Sequence, residues 1–313
     1  MDNDFKIFTG SAHPELGESI AKALGKTCGD MKLSKFSCNE YYAKINETIR
    51  GKNVYIVQSA GSNVNDDFME LFVIMDSLRR SSAKTINVVM PHFGYARQDK
   101  KSAPREPISA RLMADLLSTV GLDRLVTVDL HADQIQGFFN KPVDHLTAMP
   151  LFIEYFKSKN IKDLVVVAPD TGRAKFSKKL SDKLGADLAI MHKTRPSHNV
   201  AEIVNIVGDV KDKTVLLVDD MVDTGGSIVA CLDALKTFGC NEDVYLASTH
   251  AVFSGPAVDR LSNAKFKEVV VTDTFPIPEH KQFEGLKILE TAPLIAEAIR
   301  RNLEGRSISS LVE

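Results

Sequence analysis

The segment from Val215 to Ser227 carries the most evident chemistry and reads VLLVDDMVDTGGS. We predict a buried strand whose carboxyl end presents two adjacent carboxylates, followed by a Thr-Gly-Gly-Ser loop that opens a helix. Free amide groups at a helix start can hold a phosphate, and glycine lets the backbone approach that anion closely. Carboxylates can accept hydrogen bonds from sugar hydroxyls. The candidate residues for this sugar and phosphate site are Asp219, Asp220, Asp223, Thr224, Gly225, Gly226 and Ser227.

A cationic loop is predicted between the strand around Val88 and a helix near Ile108. It reads YARQDKK from Tyr95 to Lys101. Arginine can fork onto phosphate oxygens and lysine adds a point charge, so the loop suits a polyphosphate. Taken alone, such charges are more often those of a solvated surface loop.

Two further polar residues follow predicted strands. His131 comes directly after Val128-Asp129-Leu130, and Asp170 ends the strand from Leu164. Together an imidazole and a carboxylate could anchor Mg²⁺ carried on a nucleotide, since magnesium keeps several waters and needs few protein ligands. The alternative for a single histidine is a structural role.

The polar segment from His192 to Asn199 interrupts the apolar pattern that precedes it. Its charges fit a mobile loop that closes over a reacting phosphoryl group and brings Lys193 and Arg195 to the developing charge. An exposed hairpin tip is the other interpretation. A P-loop is excluded, because Gly25-Lys26-Thr27 would need its first glycine at position 20, which is Ile20.

The elements that must position these residues read as strands alternating with amphipathic helices. Apolar runs at 53–57, 86–90, 125–129, 164–168, 215–218 and 269–271 are typical of parallel strands covered on both faces. We therefore predict an α/β fold with two doubly wound parallel-sheet domains. A boundary is expected near Thr147 to Pro150, giving domains 1–147 and 148–293, with the C-terminal helix and tail 294–313 completing the first domain.

Composition limits the class of function. The 313 residues are 44% hydrophobic and 26% charged, too mixed for a disordered chain. Thirty-nine Lys and Arg against 41 Asp and Glu give a net charge of -2, which offers no general attraction to nucleic acid or to an anionic membrane. The four cysteines match neither a zinc nor a redox spacing, so we expect reduced thiols and a cytoplasmic location.

Taken together, these motifs closely resemble the ribose-phosphate diphosphokinase family, also called PRPP synthetases. The resemblance runs from Phe8 nearly to the carboxyl end, and its most specific parts are DLHADQIQGFF from Asp129, YARQDKK from Tyr95, and the segment from Val218 to Ser227. It implies two type I phosphoribosyltransferase-like domains. It also implies transfer of the β,γ-diphosphoryl group of Mg-ATP to the anomeric hydroxyl of ribose 5-phosphate.

The resemblance assigns roles residue by residue. It implies ribose 5-phosphate binding by the acidic pair and the loop of residues 223–227, metal binding by His131 and Asp170, and catalysis by Lys193 and Arg195. The implied ATP contacts are Phe36, Cys38, Glu40, Arg97, Gln98, Asp99 and Lys100. The positions matching the family's regulatory site for phosphate and ADP are Arg50, Ser82, Gln136, Asp144, Ser307 and Ser309. Mg²⁺ is the implied cofactor and a homo-oligomer, usually a hexamer, the implied assembly, with no nucleic acid or membrane partner.

Four positions depart from the family's pattern. Cys38 stands where a polar adenine contact is expected, and Ser102 replaces an acid. Arg173 and Phe176 alter the run Pro-Asp-x-Gly-Gly-x-x-Arg at its second glycine and its arginine. Two alternatives to the active enzyme stay open at this point. One is a regulatory homologue that joins an active synthetase, and the other is a phosphoribosyltransferase, which leaves the Arg97 loop unexplained.

Overall fold

The computed structural model describes residues 5–194 and 203–312, which form two compact units. Unit 1 comprises Met1–Thr147, Thr274–Pro276 and Glu290–Glu313, and unit 2 comprises Ala148–Asp273 and Ile277–Leu289. Each unit has its own sheet. Within the described ranges, no helix is both long and apolar enough to span a membrane.

Unit 1 is built on a five-stranded parallel sheet with the spatial order β1-β4-β5-β6-β7. Its strands are β1 (Phe5–Thr9), β2 (Met31–Lys35), β3 (Tyr41–Ile45), β4 (Asn53–Val57), β5 (Thr85–Val89), β6 (Arg124–Val128) and β7 (Val143–Leu146). Its helices are α1 (Pro14–Ala23), α2 (Val64–Arg80), α3 (Ser109–Val120) and α8 (Ala292–Glu304). Strands β2 and β3 form a separate antiparallel hairpin. In α8, Arg300 Nη2 donates to the carbonyl oxygen of Ala23 at 3.3 Å, which ties the end of the chain to α1.

The apolar runs explain the central strands of this sheet. In β4, β5 and β6, four consecutive positions are buried, as expected for strands covered by helices on both faces. Strands predicted at 53–57, 86–90 and 125–129 are confirmed within one residue. The core of unit 1 packs these strands against the buried faces of α2 and α3, including Leu71 and Leu117.

Unit 2 has a seven-stranded sheet with the order β10-β9-β8-β11-β12-β13-β14. Its strands are β8 (Leu164–Ala168), β9 (Asp187–Thr194), β10 (Ile203–Val207), β11 (Thr214–Val222), β12 (Val244–Ala251), β13 (Glu268–Thr272) and β14 (Leu286–Leu289). Its helices are α4 (Met149–Ser158), α5 (Ala174–Leu184), α6 (Gly226–Thr237) and α7 (Ala257–Asn263). All pairings are parallel except that of β9 with the edge strand β10.

Two local predictions for unit 2 are wrong. Strand β11 does not end at the acidic pair but continues to Val222, because residues 219, 221 and 222 still pair with β12. The polar segment from His192 does not begin as a loop, since β9 runs to Thr194 and pairs with β10 through backbone hydrogen bonds that do not depend on side-chain polarity.

Helix α6 follows the predicted pattern closely. Ile228, Leu232 and Leu235 are buried along one face, as their spacing predicts. The helix ends at Thr237, and Gly239 takes a φ of 81°, the left-handed conformation that glycine adopts readily. Because Ile228 and the other side chains of this face lie in the core of unit 2, the amino end of α6 is held directly after β11.

Buried carboxylates on α2 hold the loops that follow β1 and β4. Glu70 accepts hydrogen bonds from the backbone N–H of Ser11 at 2.7 Å and from Gln58 Nε2 at 2.9 Å. Asp67 accepts one from the Gly61 N–H at 2.7 Å. Burial, opposed by that hydrogen bond and reinforced by Glu70, raises the pKa of Asp67 to about 6.

We predict that Asp67→Asn stabilises the protein more at pH 7.5 than at pH 4.5. An unfolded aspartate titrates near ~4, so between pH 4 and 6 the folded state binds more protons at this site. The free energy of unfolding therefore falls as the pH rises through that window, and the loss is complete above it. Asparagine has no such titration and can still accept the Gly61 hydrogen bond.

The measurement is the difference in Tm between variant and wild type at the two pH values. We expect the Tm of the variant relative to wild type to be higher at pH 7.5 than at pH 4.5. The expected gain is about 2–4 °C for each kcal/mol by which deprotonation of Asp67 destabilises the wild type. The control is Asp76→Asn on the same helix, whose side chain is half-exposed and pairs with Arg80. Equal Tm differences for Asp67→Asn at both pH values would show that this carboxyl does not titrate abnormally.

Candidate functional site

The acidic pair lies in the sheet of unit 2, on the carboxyl half of β11. Asp219 stands beside Ser248 of β12 in the parallel register. The side chain of Asp219 is 19% exposed and that of Asp220 is 3% exposed. Burial first, and then the neighbouring carboxylate of Asp220, raise the pKa of Asp219 well above its ordinary value.

An arginine that the sequence analysis did not place in the site faces this pair. Arg173 Nη2 lies 2.6 Å from Asp220 Oδ2, and its Nε lies 3.7 Å from Asp219 Oδ1. Its positive charge lowers the pKa of Asp219 and so opposes the effect of burial. The sequence did contain a hint of this role, because an arginine lies three residues after Asp170, where the family pattern has a glycine.

The predicted phosphate loop follows the acidic pair and leads directly into α6. Gly225 has a φ of 73° and is the residue before the first turn of α6, so this position favours glycine. The carbonyl oxygen of Asp223 accepts from the Ser254 N–H at 2.9 Å, and that of Thr224 accepts from Arg260 Nη1 at 2.9 Å. These bonds hold the loop backbone from the carbonyl side, while the first N–H groups of α6 have no partner within the helix.

Asp170 lies immediately after β8, as predicted, and its side chain is oriented by its own loop. Its Oδ1 accepts hydrogen bonds from the backbone N–H groups of Gly172 at 2.8 Å and Arg173 at 3.2 Å. The residue is exposed, so its carboxylate is accessible from solvent. This geometry leaves Asp170 able to act as an oxygen ligand.

In unit 1, His131 follows β6 in a loop held by a second histidine. The backbone N–H of Leu130 donates to His145 Nε2 at 2.8 Å, and Asp129 takes a positive φ of 39°. His131 itself is exposed. The sequence analysis did not single out His145. A hint in the sequence was its position next to Asp144 in β7.

The cationic loop of unit 1 exposes its three cations and buries its one carboxylate. Arg97, Gln98 and Lys100 are exposed, whereas Asp99 is buried and its Oδ2 accepts from Gln134 Nε2 at 2.6 Å. Gln98 Oε1 also accepts a hydrogen bond from the Ser109 hydroxyl at the start of α3. Asp99 and Gln98 thus fix the loop, and its three cations, Arg97, Lys100 and Lys101, are exposed.

The remaining predicted ATP contacts lie at the tip of the hairpin formed by β2 and β3. Phe36 is 55% exposed and packs edge-on against Tyr42, with ring centroids 5.7 Å apart. Cys38 and Glu40 are exposed beside it, and the thiol of Cys38 is free. An exposed aromatic ring of this kind can stack on a planar ligand.

The six positions assigned to regulation all belong to unit 1, and Asp144 is the most firmly held of them. Its two carboxylate oxygens bind Arg124 Nη1 at 2.7 Å and Asn302 Nδ2 at 2.6 Å. The others are Arg50 and Ser82 near the start of β4 and β5, Gln136 in the turn after His131, and Ser307 and Ser309 in the tail after α8.

The two predicted catalytic residues are the least described. Lys193 lies in β9, where its backbone pairs with that of Val204, and its side chain is outside the described part of the structure. Arg195 lies outside the described residues altogether. Their catalytic roles stay a prediction.

No protein-only metal centre exists among residues 5–194 and 203–312, since no three His, Cys, Asp or Glu side chains cluster there as a metal site requires. A magnesium ion bound mainly by nucleotide phosphates and water needs only one or two protein ligands. Asp170 in unit 2 and His131 in unit 1 are each exposed, so each could supply one ligand of this kind.

Comparisons with known proteins cover almost the entire chain. Residues 5–121 match the family model of the N-terminal domain of ribose phosphate pyrophosphokinase, and residues 197–313 match the phosphoribosyl synthetase-associated domain. The chain is 47% identical over 311 residues to a ribose-phosphate pyrophosphokinase of Fusobacterium nucleatum, covering 99% of this chain and 98% of that protein. It is 48% identical over 310 residues to that of Bacillus subtilis, with the same coverage.

A solved structure agrees with the sequence comparisons. The phosphoribosylpyrophosphate synthetase from Mycobacterium smegmatis superposes with a TM-score of 0.92 at 44% identity, covering 97% of this chain and 100% of that one. This similarity confirms the predicted α/β fold, and the identities over nearly the whole length confirm the predicted relationship. The chain belongs to the ribose-phosphate pyrophosphokinase family.

Proposed function

We propose that the protein transfers the β,γ-diphosphoryl group of ATP to the anomeric hydroxyl of ribose 5-phosphate, giving 5-phosphoribosyl 1-diphosphate and AMP for nucleotide biosynthesis. The observation that carries this proposal is family membership along the full length of the chain. Nothing in the comparisons favours the regulatory-homologue alternative. The two units correspond in this proposal to the two predicted domains.

Ribose 5-phosphate binds to β11 and the start of α6. The carboxylates of Asp219, Asp220 and Asp223 accept hydrogen bonds from the ribose hydroxyls. The 5-phosphate lies against the backbone N–H groups of residues 224–227, where the helix terminus also favours negative charge. Bonds from Ser254 and Arg260 to the carbonyls of this loop hold it ready for the anion.

ATP is bound by unit 1 residues of two kinds. Arg97 and Lys100 neutralise phosphate oxygens, and the bond from Ser109 to Gln98 keeps their loop in place. Phe36, Cys38 and Glu40 offer an exposed aromatic ring and polar atoms to adenine. We propose a cytoplasmic homo-oligomer, a hexamer as the family resemblance implies.

The reaction is an in-line displacement at the β-phosphorus. The anomeric oxygen forms a bond to that phosphorus, the bond to the α,β-bridging oxygen breaks, AMP leaves, and the proton of the hydroxyl is released. Lys193 and Arg195 neutralise the charge that develops on the transferred group, so positioning and electrostatics account for the catalysis. His131 and Asp170 would be the protein ligands of Mg²⁺, which when bound would offset the charge of the phosphates.

The test is an assay of purified protein with ribose 5-phosphate, Mg²⁺ and ATP, following the products by chromatography. We expect AMP and 5-phosphoribosyl 1-diphosphate in equal amounts, and no AMP without ribose 5-phosphate. Production of ADP instead of AMP would identify an ordinary kinase. Binding of ribose 5-phosphate without any turnover would identify a non-catalytic homologue and overturn the proposal.

We predict that Asp223→Ala raises the KM for ribose 5-phosphate at least tenfold and leaves the KM for ATP within about threefold. A lost hydrogen bond to a charged group costs ~1.5–3 kcal/mol, and 1.4 kcal/mol corresponds to a factor of ten. Steady-state kinetics with each substrate varied measure the split. The matched control is Asp233→Ala, which removes an exposed carboxylate from α6. Equal increases in both KM values would contradict the assignment of Asp223 to ribose 5-phosphate and not to ATP.

We predict that Lys193→Ala lowers kcat by about a hundredfold or more while the Kd for ribose 5-phosphate changes little. A group that acts mainly on transition-state charge affects turnover rather than ground-state binding. The measurements are kcat by product formation and Kd by calorimetric titration. Lys211→Ala, an exposed lysine before β11, serves as the control and should behave as wild type. An unchanged kcat in Lys193→Ala would remove this residue from the mechanism.

A further inference from the structure

Arg173 is held in place by the same loop that orients Asp170. It ends the short 3-10 turn Thr171–Arg173 and is the residue before α5. Its backbone N–H donates to Asp170 Oδ1, so the direction from which its side chain leaves the loop is fixed. The side chain is only 14% exposed, although arginine is usually found in solvent.

Its guanidinium contacts both members of the acidic pair. The contact with Asp220 is short, at 2.6 Å between Nη2 and Oδ2, and the contact with Asp219 is longer, at 3.7 Å between Nε and Oδ1. Arginine presents its donors in a rigid planar fork, so one side chain can orient two neighbouring carboxylates at once. Lysine carries a single point charge and cannot reproduce this geometry.

Two adjacent carboxylates with little exposure to solvent repel each other, and the usual response is that one of them takes up a proton. A protonated carboxyl donates one of its hydrogen bonds and loses the acceptor strength that a sugar hydroxyl needs. A buried cation beside the pair offsets this tendency. The charges that shift the titration of Asp219 are those of Asp220, which opposes ionisation, and Arg173, which favours it.

We propose that Arg173 is a positioning residue for ribose 5-phosphate, which holds Asp219 and Asp220 in the orientation and charge state that accept the sugar hydroxyls. The inference rests on the proposed function and deepens it, since it assigns the affinity for the sugar phosphate partly to a residue outside the binding loop. Arg173 stands where the family pattern has its second glycine, while Phe176 stands one helical turn later at the pattern's arginine.

The test compares Arg173→Gln, Arg173→Lys and the control Lys175→Gln, which removes an exposed cation two residues away on α5. We expect Arg173→Gln to raise the KM for ribose 5-phosphate about tenfold or more, with the KM for ATP within about threefold. Arg173→Lys restores the charge but not the fork, so its KM for ribose 5-phosphate should rise only about threefold. Lys175→Gln should match wild type.

Several results would overturn the proposal. An unchanged KM for ribose 5-phosphate in Arg173→Gln, with only a lower Tm, would leave Arg173 a purely structural role. A larger rise in the KM for ATP would make it a phosphate ligand of the nucleotide. If Arg173→Gln does not fold, Arg173→Lys decides, and an unchanged KM for ribose 5-phosphate in that variant refutes the inference.

Calorimetric titration with ribose 5-phosphate separates this test from that of the proposed function. A wild-type protein that forms no AMP refutes the proposed reaction but still reports sugar-phosphate binding. In that case weaker binding by Arg173→Gln, by about tenfold, supports the role of Arg173, and equal binding overturns it.

Discussion

Two neighbouring carboxylates on a buried strand impose the electrostatic constraint on which the site of unit 2 depends. Asp219 and Asp220 cannot both stay charged in a poorly solvated place unless a cation accompanies them, and Arg173 lies within reach of both. Asp170, the candidate metal ligand, accepts a hydrogen bond from the backbone N–H of Arg173 and so holds the loop that carries this arginine. The acidic pair, Arg173 and Asp170 are thus linked through a few contacts within unit 2.

The parallel sheet explains why these contacts form. Strands β8 and β11 are neighbours and run in the same direction, so the residues that follow β8 come close to the carboxyl half of β11. The segment after β11 turns at Gly225 into α6, whose first amide groups form the proposed anion site. In the proposed binding mode, a strand supplies the acceptors for the sugar hydroxyls and a helix supplies the donors for the phosphate. In unit 1 the same logic places the cationic loop after β5 and His131 after β6.

Much of this arrangement could be predicted from the sequence, because apolar runs and glycine-rich turns report local structure directly. The sequence predicts the start of α6 and six strands of the two sheets, β4, β5, β6, β8, β11 and β13, within about four residues, and it leaves out β1, β7, β9, β10, β12 and β14. What could not be predicted depends on contacts distant in sequence. The extension of β11 past Asp220 is set by pairing with β12, and the extension of β9 to Thr194 is set by pairing with β10. Side-chain polarity in those segments argued for loops, and backbone pairing overrode it.

The same limit applies to individual site residues. Asp99 reads as one more charge on a cationic loop, but the structure buries it against Gln134, 35 residues away. His145 carries no motif of its own and supports the loop of His131 through Leu130. Arg173 was visible only as a departure from the family pattern, and its partner in β11 could not be inferred without the fold.

The most direct test of the account is the fate of the α,β-bridging oxygen of ATP. With ¹⁸O at that position, attack at the β-phosphorus by the anomeric hydroxyl leaves the label in AMP, which mass spectrometry can measure. The account predicts that all of the ¹⁸O appears in AMP and none in 5-phosphoribosyl 1-diphosphate. Label in the diphosphate group, or in ADP with no AMP formed, would contradict diphosphoryl transfer as the reaction of this protein.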